Sequence, residues 1–140
     1  LVYGLSNSSV FDEVPPQFAA NLHRSNIEQD YPYVDLLKTK MEHEKLFTRK
    51  NLTLERLAEE LEIPVKSLSK TINGHFQMNF FEFISYYRVE EAKRLLVEHP
   101  NMTVQVVMEQ SGFRSKSAFN RFFLKYALST PSAYRKNNTV

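Results

Sequence analysis

Gly112-Phe-Arg-Ser115-Lys-Ser117-Ala-Phe119-Asn-Arg121-Phe-Phe123-Leu-Lys125-Tyr-Ala-Leu128-Ser-Thr130-Pro-Ser-Ala-Tyr134-Arg135 is the stretch on which the reading of this chain turns. A glycine turn opens a helix in which Phe119, Phe122, Phe123 and Tyr126 recur at i, i+3, i+4 and i+7. That spacing gathers the aromatics on one buried face. Lys116, Ser117, Asn120 and Arg121 lie on the other face. No Asp or Glu follows Glu109, whereas Arg114, Lys116, Arg121, Lys125, Arg135 and Lys136 do. A helix anchored by aromatics and presenting only cations and hydrogen-bonding groups suits a polyanion with readable edges, and duplex DNA is such a partner.

The rest of the chain extends this pattern. Thr53 and Thr103 stand 50 residues apart, and Leu54/Val104, Leu57/Val107, Ala58/Met108 and Ile63/Phe113 keep that offset. One extra residue in the second turn then moves the offset to 51 and matches Leu68 with Phe119, Lys70 with Arg121 and Ile72 with Phe123. An internal repeat of capped helix pairs, each with an acid-free second helix, predicts two helix-turn-helix units. The first runs over about 52–74 and the second over about 103–127. In the first reading helix, Leu68 and Ile72 point inward, while Lys66, Ser69, Lys70 and Asn73 point outward; Pro64 is expected in its first turn. No acidic residue occurs between Glu62 and Glu82.

Between the units, a connecting helix is expected over about 79–98, ended by His99-Pro100. About 20 residues at 1.5 Å each span roughly 30 Å, near the 34 Å turn of B-DNA. That spacing lets two recognition helices enter successive major grooves. A further helix, about 34–47, carries Val34, Leu37 and Met41 on one face, after a turn at Tyr31-Pro32. Residues 1–33 read as irregular, with Pro15-Pro16 breaking any helix. The fold class is therefore all-α: two helix-turn-helix subdomains joined by a long connecting helix.

Composition narrows the chemistry. The 140 residues contain no Cys, which excludes disulfides, thiolate metal sites and a cysteine nucleophile. His23, His43, His75 and His99 are scattered, with no helical metal-ligand spacing, so neither a metal nor a cofactor is expected. Glu42 and Glu44 flank His43 too closely in sequence to converge on it from a helix. No phosphate-binding glycine loop, nucleophile motif or membrane-length apolar run is present, and no enzyme activity is expected. The net charge of +2 divides into −3 over residues 1–47 and +5 over 48–140, so the basic part is the patterned part. The chain opens on Leu1, without Met, and is expected to be a fragment of a longer protein.

At these motifs the sequence resembles the DNA-binding domain of the AraC/XylS family of bacterial transcription regulators. The resemblance covers about residues 52–136. It rests on Gly112-Phe113, Ser115, Ser117, Phe119, Arg121, Phe123, Thr130-Pro131 and Tyr134-Arg135, with Tyr87-Arg88-Val-Glu-Glu-Ala92-Lys-Arg-Leu95-Leu96 matching the connecting helix. It implies that residues 34–140 form the DNA-binding domain, with recognition helices near 64–74 and 115–127. Candidate DNA-binding residues are Lys66, Ser69, Lys70 and Asn73 in the first, and Lys116, Ser117, Asn120, Arg121 and Lys125 in the second. Arg pairs with guanine and Asn with adenine, while Lys more often holds phosphate.

The implied partners are double-stranded DNA and RNA polymerase, with no small-molecule ligand in this fragment. The fragment is expected to be monomeric, the parent dimeric, and the location cytoplasmic. Residues 1–33 match the tail of membrane-embedded members more loosely; the alternatives are a linker from a soluble sensor domain or a fusion remnant. On the tail reading, the parent is anchored in the inner membrane. The competing function is a protein-interaction module without sequence-specific readout.

Several residues carry structural expectations instead. Thr53 and Thr103 are helix caps, and Phe119, Phe122, Phe123, Tyr126 and Tyr134 are packing residues. Arg88, sharing a face with Phe81, Ile84, Ala92 and Leu95, is expected to pair with a nearby Glu. Glu90, Glu91, Lys93 and Arg94 form a solvated face. Four departures from the family pattern stand out. Glu62 and Leu128 occupy usual Gly positions, Met108 a small-residue position and Leu124 a Lys position. Glu62 in a left-handed conformation costs on the order of 1–2 kcal/mol, unless the turn differs. Leu128 puts the ending of the second recognition helix in question.

Overall fold

Hydroxyl side chains begin most of the helices in the patterned region, and their capping bonds fix where each one starts. The computed structural model describes residues 31–139, and all of its regular elements are helical. The α-helices in order are α1 Val34–Thr39, α2 Leu54–Leu61, α3 Val65–Lys70, α4 Phe80–Glu98, α5 Val104–Gln110, α6 Lys116–Ala127 and α7 Pro131–Asn138. Thr53 accepts from the Arg56 amide at 3.1 Å, and Thr103 from that of Val106 at 3.2 Å. Ser115 accepts from Ala118 at 3.1 Å, and Thr130 from Ala133 at 3.2 Å. Each bond satisfies an amide that the first helical turn leaves without a partner. At the start of α4 the cap is reciprocal. The Glu82 amide donates to Asn79 Oδ1, and the Asn79 amide donates to Glu82 Oε2, both at 2.9 Å.

The repeat extends to the backbone turns. After α2, the Ile63 amide donates to the Ala58 carbonyl at 3.1 Å, and that of Glu62 to Glu59 at 3.1 Å. After α5, Phe113 donates to Met108 and Gly112 to Glu109, both at 3.2 Å. These are the same paired closures, displaced by 50 residues, and each places one residue in the left-handed region. In the second unit that residue is Gly112, at φ 104°; in the first it is Glu62, at φ 55°. The turn is thus preserved, and Glu62 takes the strained conformation. Leu128 does likewise after α6, at φ 58°, its amide donating to Leu124 at 3.0 Å. The helix ends where a glycine would have ended it.

The chain forms two compact units. The first includes the described residues through Leu46 together with Leu52–Phe83, and buries Leu37, Met41, Leu57, Ala58, Leu61, Leu68, Ile72, Phe76, Met78 and Phe83. Phe76 packs on Phe83 with ring centroids 4.9 Å apart. The second takes Phe47–Asn51 and the chain from Ile84 onward, around Tyr86, Tyr87, Leu96, Val107, Phe113, Phe119 and Phe123. Met108, the departure from a small residue, is buried there, and Ser111 Oγ donates to its carbonyl at 2.9 Å. Tyr86 meets Tyr126 edge-on at 5.3 Å, and Phe123 meets Tyr134 at 5.8 Å. Burying each such aromatic side chain contributes about 1.5–3 kcal/mol.

Four expectations need correction. The first helix does not run to residue 47: α1 passes into a π-helical turn, Lys40–Glu44, which left-handed Lys45 at φ 49° closes. Pro64 sits at the cap position before α3, with ψ 141°, not within the helix; its carbonyl accepts from Leu68 at 3.1 Å. Phe81 is 75% exposed and does not share the buried face of Ile84, Ala92 and Leu95. Nearly every residue from Phe83 to Val89 is buried, so periodicity alone does not select one face of α4. Phe122 is only half-buried and stacks on Tyr126 at 6.1 Å. The turn at Tyr31-Pro32 is present, with the Val34 amide donating to the Tyr31 carbonyl at 3.3 Å. The features read at Pro15-Pro16 and elsewhere in residues 1–30 lie outside the described residues.

The two left-handed positions predict opposite effects in chemical denaturation. Leu128→Gly stabilises by roughly 0.5–1 kcal/mol, because relief of the left-handed strain exceeds the entropy cost of glycine. Gly112→Ala destabilises by more than about 2 kcal/mol, since φ is unfavourable and a Cβ there would lie 2.5 Å from the Phe47 carbonyl oxygen.

Candidate nucleic-acid interface

Helix α6 is fixed from behind and open in front. Phe119, Phe123 and Tyr126 are buried, while Lys116, Ser117, Asn120, Arg121, Leu124 and Lys125 are exposed. At 3.6 residues per turn, Ser117, Asn120, Arg121 and Leu124 fall within an arc of about 100°. Lys116 and Lys125 lie on opposite flanks of that arc. Lys116, Ser117 and Asn120 have no hydrogen-bond or ion-pair partner among the described residues, so their polar atoms are available to a ligand. The Arg121 guanidinium lies 4.8 Å from the centroid of the Phe122 ring. The Lys125 ammonium lies 5.4 Å from that of Tyr126. In each case the charged group itself lies over a neighbouring aromatic ring, on a residue that remains exposed.

The first unit's counterpart is built differently. Helix α3 widens after Lys70 into a π-helical turn, Thr71–His75. Thr71 Oγ1 donates back to the Ser67 carbonyl at 2.8 Å, and Asn73 Nδ2 donates to Ser69 Oγ at 3.2 Å. Lys66, Lys70 and Asn73 are exposed, and Ser69 is half-buried. These four candidates share one stretch of surface, with Asn73 and Ser69 holding each other. Gly74 follows because Tyr31 leaves no room: a Cβ would lie 2.7 Å from the Tyr31 ring. His75 meets the same ring edge-on at 5.7 Å. Burial, reinforced by nearby Lys38 and opposed by Asp35, lowers the His75 pKa below its ordinary value.

Not every cation of the basic region belongs to this surface. Arg88 Nε donates to the Phe47 carbonyl at 2.7 Å, and Nη2 to that of Arg49 at 3.0 Å. The carboxylate partner expected for Arg88 is replaced by two main-chain carbonyls. Burial pushes its pKa down to about 10, which still leaves it charged at neutral pH. Arg135 behaves alike: Nε donates to Leu96 O at 2.9 Å and Nη2 to His99 O at 3.2 Å, satisfying carbonyls at the end of α4. Arg94 bonds Glu91 and Glu98, which raise its pKa, and Lys93 pairs with Glu90 at 3.0 Å. Sequence reasoning missed the Arg135 role and the Asn79/Glu82 cap. The Asn-x-x-Glu spacing was the available signal for the cap.

The comparisons agree with this geometry. The helix-turn-helix domain profile matches residues 57–137. The chain belongs to the AraC-type helix-turn-helix family. The C-terminal domain of the two-component response regulator yesN from Fusobacterium nucleatum is 30% identical, over 72% of this chain and 95% of that one, with a TM-score of 0.60. The C-terminal domain of AraT, a response regulator from Geobacillus stearothermophilus, shares the fold at 21% identity and a TM-score of 0.61; the match covers 91% of this chain and 90% of that one. The DNA-binding domain of AdpA, a global transcriptional factor solved with a target DNA, shares it at 24% identity and the same score, over 76% and 91% of the two chains. No curated protein sequence matches. Among the described residues of this AraC-type chain, no helix is long and apolar enough to cross a membrane.

The carbonyl partners make Arg88 a test of structure, not of ligand contact. Arg88→Met keeps an apolar stem but leaves the Phe47 and Arg49 carbonyls without their donor. Urea denaturation is expected to show a loss of about 2–4 kcal/mol.

Proposed function

We propose that this chain is the sequence-specific, double-stranded DNA-binding part of a transcription regulator. Residues 34–140 form the DNA-binding domain, and residues 1–33 a linker or juxtamembrane segment. Lys66, Ser69, Lys70 and Asn73 line one reading surface, and Lys116, Ser117, Asn120, Arg121 and Lys125 the other. The observation that carries this reading is the acid-free α6 face, where Ser117, Asn120 and Arg121 share the centre with Leu124 and lysines occupy the flanks. A helix in a major groove meets base edges along its centre line and phosphate walls on either side. Asn120 and Arg121 therefore face bases, while Lys116 and Lys125 face phosphates. In the first unit, Lys66 and Lys70 supply charge, and Asn73 and Ser69 hydrogen bonds.

The chain acts without catalysis, as a monomer in the cytoplasm. RNA polymerase is the second partner of the parent protein, which pairs through a region other than this one. Exposed lysines on both reading helices, with Arg121 on the second, support the DNA assignment more directly than the modest net charge does.

Selection from a randomised duplex pool, followed by binding titrations at several salt concentrations, tests the proposal. An enriched sequence and a steep salt dependence are expected; no enrichment together with salt-independent binding defeats it. Lys116→Ala is expected to weaken all sequences alike and reduce the salt slope by about 1. Arg121→Ala is expected to weaken the selected site by about 1–3 kcal/mol and relax one base position. Equal loss on every sequence makes Arg121 a phosphate contact instead.

A further inference from the structure

Leu124 is 55% exposed on a helix whose Phe119, Phe123 and Tyr126 are buried. Its place on that helix is specific. Ser117, Asn120, Arg121 and Leu124 stand at i, i+3, i+4 and i+7, the spacing with which a helix lying along a major groove reads successive base pairs. A leucine there has no hydrogen bond to give and no charge to place against phosphate. It exposes apolar surface, which is favourable to bury only against another apolar group. Among base edges in the major groove, the thymine C5-methyl is such a group.

We propose that Leu124 is a specificity-determining residue that selects thymine by packing on its C5-methyl group. The inference rests on the DNA-binding reading above. The first unit supports a division of labour between the two surfaces. At the 51-residue offset that aligns Lys70 with Arg121, the counterpart of Leu124 is Asn73, whose amide is held by Ser69 Oγ at 3.2 Å. One reader closes its stripe with a hydrogen-bonding amide, the other with an aliphatic side chain. The two halves of the binding site therefore differ in what they demand at corresponding base pairs. Flanking Lys125 holds its ammonium 5.4 Å from the Tyr126 ring centroid, off the stripe on which Leu124 stands.

The test uses the whole 140-residue chain and the duplex recovered by selection. Each thymine is replaced in turn by deoxyuridine, which removes the methyl group and leaves base pairing unchanged. Wild type is expected to lose about fourfold in affinity at one position, the effect of one methyl group no longer buried. Leu124→Ala and Leu124→Lys are expected to bind thymine and deoxyuridine equally at that position. Because Leu124 is exposed, both variants should keep the wild-type melting temperature. If no position shows a loss that vanishes in both variants, the inference is overturned while sequence-specific binding stands. If selection recovers no sequence at all, the DNA-binding reading itself fails, and the inference fails with it.

Discussion

The guanidinium of Arg88, held on the carbonyls of Phe47 and Arg49, organises the second unit. Gly112 passes so close that an added Cβ would lie 2.9 Å from Arg88 Nε and 2.9 Å from Thr48 Cα. The turn between α5 and α6 is thus pressed against a segment more than 60 residues earlier in the chain. Phe113, next along, lies beneath the guanidinium, with its ring centroid 5.8 Å away, and meets Phe119 of α6 at 5.3 Å. The direction in which α6 leaves the turn is set by this stack. A buried cation bonded to carbonyls is tolerated because two strong main-chain acceptors replace the water it gives up.

The two units share a frame and differ in surface. The caps at Thr53 and Thr103 and the two turn closures agree to within 0.1 Å in the bonds that define them. Beyond the frame, the reading helices diverge. The first widens into a π-helical turn that meets Tyr31 at Gly74, whereas the second runs as a regular α-helix of 12 residues. Conserving main-chain closures while varying outward side chains lets one scaffold present two chemistries.

Much of this was legible in the sequence because it depends on local spacing. Caps at Thr53 and Thr103, the aromatic face of α6 and the turn at Gly112 follow from residues three or four apart. What escaped depends on distant segments meeting. Arg88 has Glu90 and Glu91 beside it in sequence, yet its partners are carbonyls about 40 residues away, which no side-chain pattern records. The same holds for Arg135, which reads as one more surface cation but closes the end of α4. The left-handed turn at Lys45 was also hidden, since lysine has no special preference for that conformation. Among the candidate site residues, exposure of Lys66, Lys70, Asn73, Lys116, Ser117, Asn120, Arg121 and Lys125 follows from helical period alone. The bond from Asn73 to Ser69 joins positions i and i+4, a pairing that helical spacing permits but does not by itself require.

Residues Phe47–Asn51 belong to the second unit although the chain on both sides of them belongs to the first. Neither unit is therefore a contiguous piece of polypeptide. A cut within α4 between Phe83 and Ile84, where the second unit resumes, would strip Arg88 of both carbonyls and Gly112 of the Phe47–Thr48 backbone it leans on. A graft of the second reader into another protein must carry these five residues as a separate insertion. An exchange of one contiguous half of the chain would separate the second reader from the five residues it packs on.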